Sequence, residues 1–89
     1  MQDTQNLIIM IESIKELKEL LIPEIKGIGL VIDRVKKTSS NQSIYIYTNK
    51  GTIRISDHHN KISFDKCLVS ITTPVQKEVA IKMIKLLRC

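Results

Sequence analysis

Two stretches of this chain carry residues that could do chemistry. Ser56-Asp57-His58-His59 sets a hydroxyl, a carboxylate and two imidazoles side by side. Histidine titrates near neutrality and can act as a general base, and a neighbouring aspartate can orient its ring. Adjacent residues on an extended strand point to opposite faces, so Asp57 and His58 make a relay only if the chain turns there. The nucleophile would then have to be Ser56 or the distant Cys67. The cluster lacks the three or four spaced ligands that zinc requires. An Asp-led turn bearing two surface histidines is the simpler account.

The second stretch runs from Ser43 to Ser56 and contains Tyr45, Tyr47 and Arg54, with Lys50 in its middle and Arg34, Lys36 and Lys37 just upstream. Aromatic rings stack on bases, and Lys and Arg neutralise phosphates, so a surface made of these residues suits nucleic acid. Tyrosine and arginine are also enriched in protein interfaces, and strand tyrosines serve cross-strand packing. The elements that position them follow from alternation. Ile44 and Ile46 point one way and Tyr45 and Tyr47 the other, while beyond Gly51 Ile53 and Ile55 alternate with Thr52, Arg54 and Ser56. This predicts a β-hairpin with its isoleucines toward a core and Tyr45, Tyr47 and Arg54 on the opposite face. Gly51 fits the left-handed position of a short hairpin loop.

Around the hairpin, Asp3 or Thr4 can cap a helix whose Leu7, Met10, Ile14, Leu17 and Leu21 share one face and which ends before Pro23. Its apolar stripe is wide enough to suggest homodimerisation through the first helix. Residues 28–37 read as a first strand, Thr38 to Gln42 as a polar loop, and Ile62 with Phe64 as a short fourth strand or an extension of the third. Thr73-Pro74-Val75-Gln76 offers a cap, a proline at the first helical position and a glutamine three residues after the cap. The final helix then buries Val75, Val79, Ala80, Met83, Ile84 and Leu87. The expected fold is α+β, a single domain over residues 1–89. An antiparallel meander of three or four strands, in the order αβββ(β)α, carries both helices on one face.

Composition bounds the partners. The 89 residues carry a formal net charge of +5, from 14 Lys plus Arg against 9 Asp plus Glu, which favours nucleic acid or an acidic protein surface. Cys67 and Cys89 form neither a disulfide framework nor a zinc motif, and no glycine-rich phosphate loop is present. No cofactor or metal is expected. Leu7 to Ile11 is too short an apolar run for a signal peptide or a spanning helix, so the expectation is a soluble, cytoplasmic protein without membrane contact. The excess of isoleucine, lysine and asparagine fits an AT-rich coding sequence of the kind phages and other mobile elements carry.

The order helix, three strands, helix is similar to the double-stranded RNA-binding domain and to the small ribonuclease toxins sharing its layout. Gln76-Lys77-Glu78-Val79-Ala80 resembles the lysine-rich start of that domain's second helix. The Gly-Pro-x-His loop and the toxins' Gly-Ser-His are not found, so the resemblance implies a layout and not an activity. The leading expectation is a small non-enzymatic binding protein that docks on a nucleic acid or a nucleic-acid-handling complex, for example as an anti-CRISPR-type inhibitor. The rival is a toxin-like ribonuclease using His58 or His59.

Overall fold

The computed structural model describes residues 8–57 and 67–87. Strand β1 (Met10–Ile11) leads into helix α1 (Ile14–Gly27), followed by strands β2 (Ile32–Lys37), β3 (Ser43–Thr48), β4 (Gly51–Ser56) and β5 (Cys67–Thr72). A short β6 (Val75–Gln76) precedes helix α2 (Lys77–Lys85). The main sheet has the order β2-β3-β4-β5, and β1 pairs with β6 in a separate two-stranded ribbon. The fold is therefore α+β, with a mixed rather than an all-antiparallel sheet. Among the described residues no helix is long and apolar enough to cross a membrane.

The hairpin follows its alternation. Ile44 is opposite Ile55 and Ile46 opposite Ile53, and all four are buried against the helices. Between the strands, Thr48 Oγ1 donates to the Gly51 carbonyl at 2.6 Å and accepts from the Lys50 and Gly51 N–H groups. Gly51 has φ 151°, and a Cβ there would lie 2.8 Å from Leu68 Cγ, so glycine is required by both backbone and neighbour. The departure comes after Asp57: β5 runs parallel to β4, with Ile53 beside Val69 and Ile55 beside Ile71. A turn-like sequence after a strand suggests another hairpin, but Val69 and Ile71 reach the core from a strand of the opposite sense. The predicted strand at Ile62 and Phe64 lies outside the described residues.

The first helix starts and ends later than its spacing predicts. Ser13, in extended conformation, accepts a hydrogen bond from the Glu16 N–H at 3.2 Å and is the true N-cap. Met10 and Ile11 instead pair with Gln76 and Val75, and the Lys77 N–H donates to the Ile9 carbonyl at 2.8 Å. At the other end α1 runs through Pro23, because the extra turn buries Ile25 completely beside Leu17 and Leu21. It stops in a Schellman motif: the Leu30 N–H donates to the Ile25 carbonyl, the Gly29 N–H to that of Lys26, and Gly29 takes φ 96°. Leu30 is buried with Ile25, which supplies the hydrophobic contact that accompanies this cap. Leu20 and Ile22 pack against the same core, while Ile8, Ile9 and Met10, at the start of the predicted stripe, are exposed.

The last helix also begins late. Thr73 is buried and its N–H donates to the Ser56 carbonyl at 2.9 Å, which ties the end of β5 to the end of β4. The cap position is Gln76, without a side-chain cap, and Ala80 and Ile84 carry the buried stripe while Val79 is exposed. Thr73 is thus a crosslink between strands and not a helix cap.

Candidate functional site

Because β3 lies between two antiparallel neighbours in register, its outward residues line up in rows across the sheet. One row reads Lys36, Tyr45, Arg54, Ser70, and the next reads Arg34, Tyr47, Thr52, Cys67. These rows form the face away from the helices, since the intervening residues Ile44, Ile46, Ile53 and Ile55 are in the core. A bulge at Asp33 separates the pair Ile32 and Thr48 from the pair Arg34 and Tyr47, and it sets Arg34 and Lys36 on the tyrosine side.

The side chains on this face touch one another. The Tyr45 and Tyr47 rings are stacked with centroids 6.3 Å apart and 25° between their planes. The Arg34 guanidinium carbon sits 4.9 Å from the Tyr47 ring centroid, within cation–π range. Arg34 and Lys36 are exposed, and both tyrosines are half-buried. The two rows hold three cations and no carboxylate. A strip of this kind attracts anions, and its aromatic residues are already ordered, which lowers the entropy lost on binding.

The sequence-predicted residues divide as follows. Arg34, Lys36, Tyr45 and Tyr47 come together on one face. Arg54 shares it but is only 7% exposed, so it underlies the face rather than projecting from it. Lys37 is paired with Ile44 and lies on the helix side, where it lines an open groove with Lys15, Lys18 and Val35. Lys50 is exposed in the hairpin loop, beyond the end of the rows. Asp57 is exposed after β4, and its N–H donates to the Gln42 carbonyl at 3.1 Å. His58 and His59 lie outside the described residues. Ser56, the local candidate nucleophile, is fully buried.

Two placements, one on the outer face and one on the helix side, were missed in the sequence. Ser70 joins the Arg54 row only because β5 is parallel to β4, and a sequence read as a meander would not bring it there. Lys15 and Lys18 line the same open groove as Lys37 on the helix side of the sheet, a placement that helix periodicity alone does not fix. Among the described residues no group of three or more His, Cys, Asp or Glu side chains is placed to hold a metal ion. No protein-family model, curated protein or solved structure matches the chain.

Proposed function

We propose that this chain is a non-enzymatic binding protein that docks a single-stranded nucleic acid on the outer face of its sheet. The observation that carries the reading is the strip of Arg34 over Tyr47, stacked Tyr45 and adjacent Lys36 on one side of the sheet, with both cations exposed and both rings half-buried. Sheet-borne aromatics offer platforms for unstacked bases, and the flanking cations neutralise phosphates. Arg34 adds geometry to charge, since a guanidinium resting on a ring keeps its edge donors free for an oxyanion. An inhibitor of a nucleic-acid-handling defence complex, of the anti-CRISPR type, would use such a face to occupy the complex's own strand-binding groove or to mask its substrate.

The test is fluorescence anisotropy of a labelled single-stranded oligonucleotide titrated with the protein at several salt concentrations. Each neutralised phosphate of a single strand contributes about 0.7 to the log–log salt slope. An Arg34→Ala, Lys36→Ala double variant should therefore bind more weakly and show a slope smaller by about 1.4. Parental affinity and slope in the folded double variant would move the binding surface elsewhere. Cleavage of the strand by the wild-type chain, abolished in His58→Ala or His59→Ala, would replace the reading with a ribonuclease.

A further inference from the structure

The apolar residues that broaden the predicted stripe of the first helix sit on β1 and just before it. Ile8, Ile9 and Met10 are 61%, 50% and 42% exposed, and no charged residue occurs from Leu7 to Ile11. On one side β1 pairs with β6, and on the other no strand follows among the described residues. The Lys77 N–H donates to the Ile9 carbonyl, and Ile11 is opposite Val75 in the same register. Bonded residues alternate along an antiparallel pair, so Ile9 and Ile11 turn their backbone groups toward β6, while Ile8 and Met10 turn theirs to the open side.

An open strand edge flanked by bare apolar side chains is a template for another strand, and folded proteins ordinarily blunt it with charge, proline or a bulge. The main sheet is protected in this way. Its edge strand β2 carries Asp33, Arg34, Lys36 and Lys37 and a bulge. On its other edge, β5, the one large apolar side chain that is exposed, Leu68, rests against Gly51. β1 has none of these devices. Its occupant must be extended chain, because only a strand answers a row of outward N–H and C=O groups, and it must be apolar and neutral, because β1 offers no charge to pair. β1 itself has both properties.

We infer that β1 is a self-pairing edge, at which two copies of this chain join antiparallel across a two-fold axis at Ile9. Ile9 then faces Ile9 of the second copy, and Ile8 and Met10 exchange backbone hydrogen bonds with the second copy's Met10 and Ile8. The next register that matches the outward groups centres on Met10 and sets Glu12 opposite Ile8, so the register centred on Ile9 is the one that keeps apolar residues together. The two ribbons become one four-stranded sheet with β6 on both outer sides. A hollow of about 160 Å³ beside Ile8 and Ile9, lined also by Gln76, Lys77 and Glu78, gives the flexible Met10 of the second copy a space to fill. Lys77 ends the central row in both copies, about 14 Å from its counterpart at three strand spacings, where salt screens the repulsion. The pairing does not depend on what the outer face of the main sheet holds.

The experiment is sedimentation equilibrium of the full chain over a range of concentrations, with amide exchange of the 15N-labelled protein followed by NMR in parallel. A contact this small is weak, with a Kd on the order of 0.1 mM. The weight-average mass should therefore rise from 10.2 kDa toward twice that value as the concentration passes this range. Exchange of the Met10 amide should slow along with it, while the Ile11 amide, bonded to β6, is protected throughout. Ile9→Lys, which sets two charges against each other at the axis, should stay monomeric with the parental melting temperature, because Ile9 is half exposed in the single chain. Met10→Pro removes the outward N–H and no bond to β6, and it too should stay monomeric.

A mass that remains at 10.2 kDa up to about ten times the expected Kd overturns the inference. So does a dimer that persists in Ile9→Lys, or one that forms without any change at the Met10 amide, since either moves the contact to another surface. A Met10 amide protected at every concentration in a monomeric protein would give the edge to another part of the same chain.

Discussion

Replacing Pro23 with alanine should stabilise this protein, an unusual direction for a point substitution. Pro23 is exposed in the interior of α1 and supplies no N–H to the Glu19 carbonyl, which its ring also crowds. In a helix interior proline costs about 3 kcal/mol relative to alanine. Some of this is returned because proline restricts the unfolded chain, an effect of about 0.4 to 1 kcal/mol at sites that tolerate it. The helix continues because Ile25 is fully buried and Leu30 closes the cap, and burying one such side chain is worth about 1.5 to 3 kcal/mol. The net gain on Pro23→Ala should be about 2 kcal/mol, or roughly 8 to 16 °C in Tm for a domain of this size. Urea unfolding monitored by helical circular dichroism and calorimetry would measure both. A variant no more stable than the parent would refute the continuous helix. Ile25→Ala gives an independent check, since it should lose about 2 to 5 kcal/mol only if α1 extends far enough to bury that residue.

Three further outcomes concern the scaffold. Ile46→Ala or Ile53→Ala should each cost about 2 to 5 kcal/mol in chemical denaturation, and a midpoint matching the parent's would reject the hairpin register. Gly51→Ala should cost about 1 to 3 kcal/mol, because the new methyl group meets Leu68 and the positive φ disfavours any side chain. Thr73→Val should cost less than about 1 kcal/mol, since the backbone bond to Ser56 survives and only a 3.4 Å hydroxyl contact is lost. A larger loss would give the hydroxyl a role that this geometry does not.

The hairpin was legible because its signal is local: period-two alternation on both strands and a glycine at the turn determine faces and register together. The same alternation placed Tyr45, Tyr47 and Arg54 on one side. It could not show that Arg54 is buried there, since burial depends on what surrounds a strand. The boundaries of α1 were obscured by two opposing rules. Its capping signal was present as Ser13 three residues before Glu16, but isoleucines and leucines from Leu7 onward continue the helical spacing past it. Pro23 read as a stop, yet the burial of Ile25 outweighs its cost. The parallel pairing of β5 was not legible because strand direction depends on a connection whose length, not its composition, decides between a hairpin and a return.

The charges of β2 have two physical explanations, and the structure separates them by one residue. As the edge of the sheet, β2 exposes one unpaired side of its backbone, and lysine on an edge strand discourages pairing with a second copy. As part of the outer face, the same strand contributes Arg34 and Lys36 to the proposed contact. Lys36 is opposite Tyr45 on the outer face, while Lys37 is opposite Ile44 on the helix side. Both belong to the edge, but only Lys36 belongs to the strip. Lys36→Gln should therefore weaken oligonucleotide binding and lower the salt slope by about 0.7, whereas Lys37→Gln should leave both at the parental value. Each should have the same small effect on self-association, measured by sedimentation at high concentration, because each removes one charge from the same edge. Equal losses of binding in the two variants would mean that the strand acts through its overall charge and not through a sided face. An ordered strip over Tyr45 and Tyr47 would then be the wrong description of how this protein holds its partner.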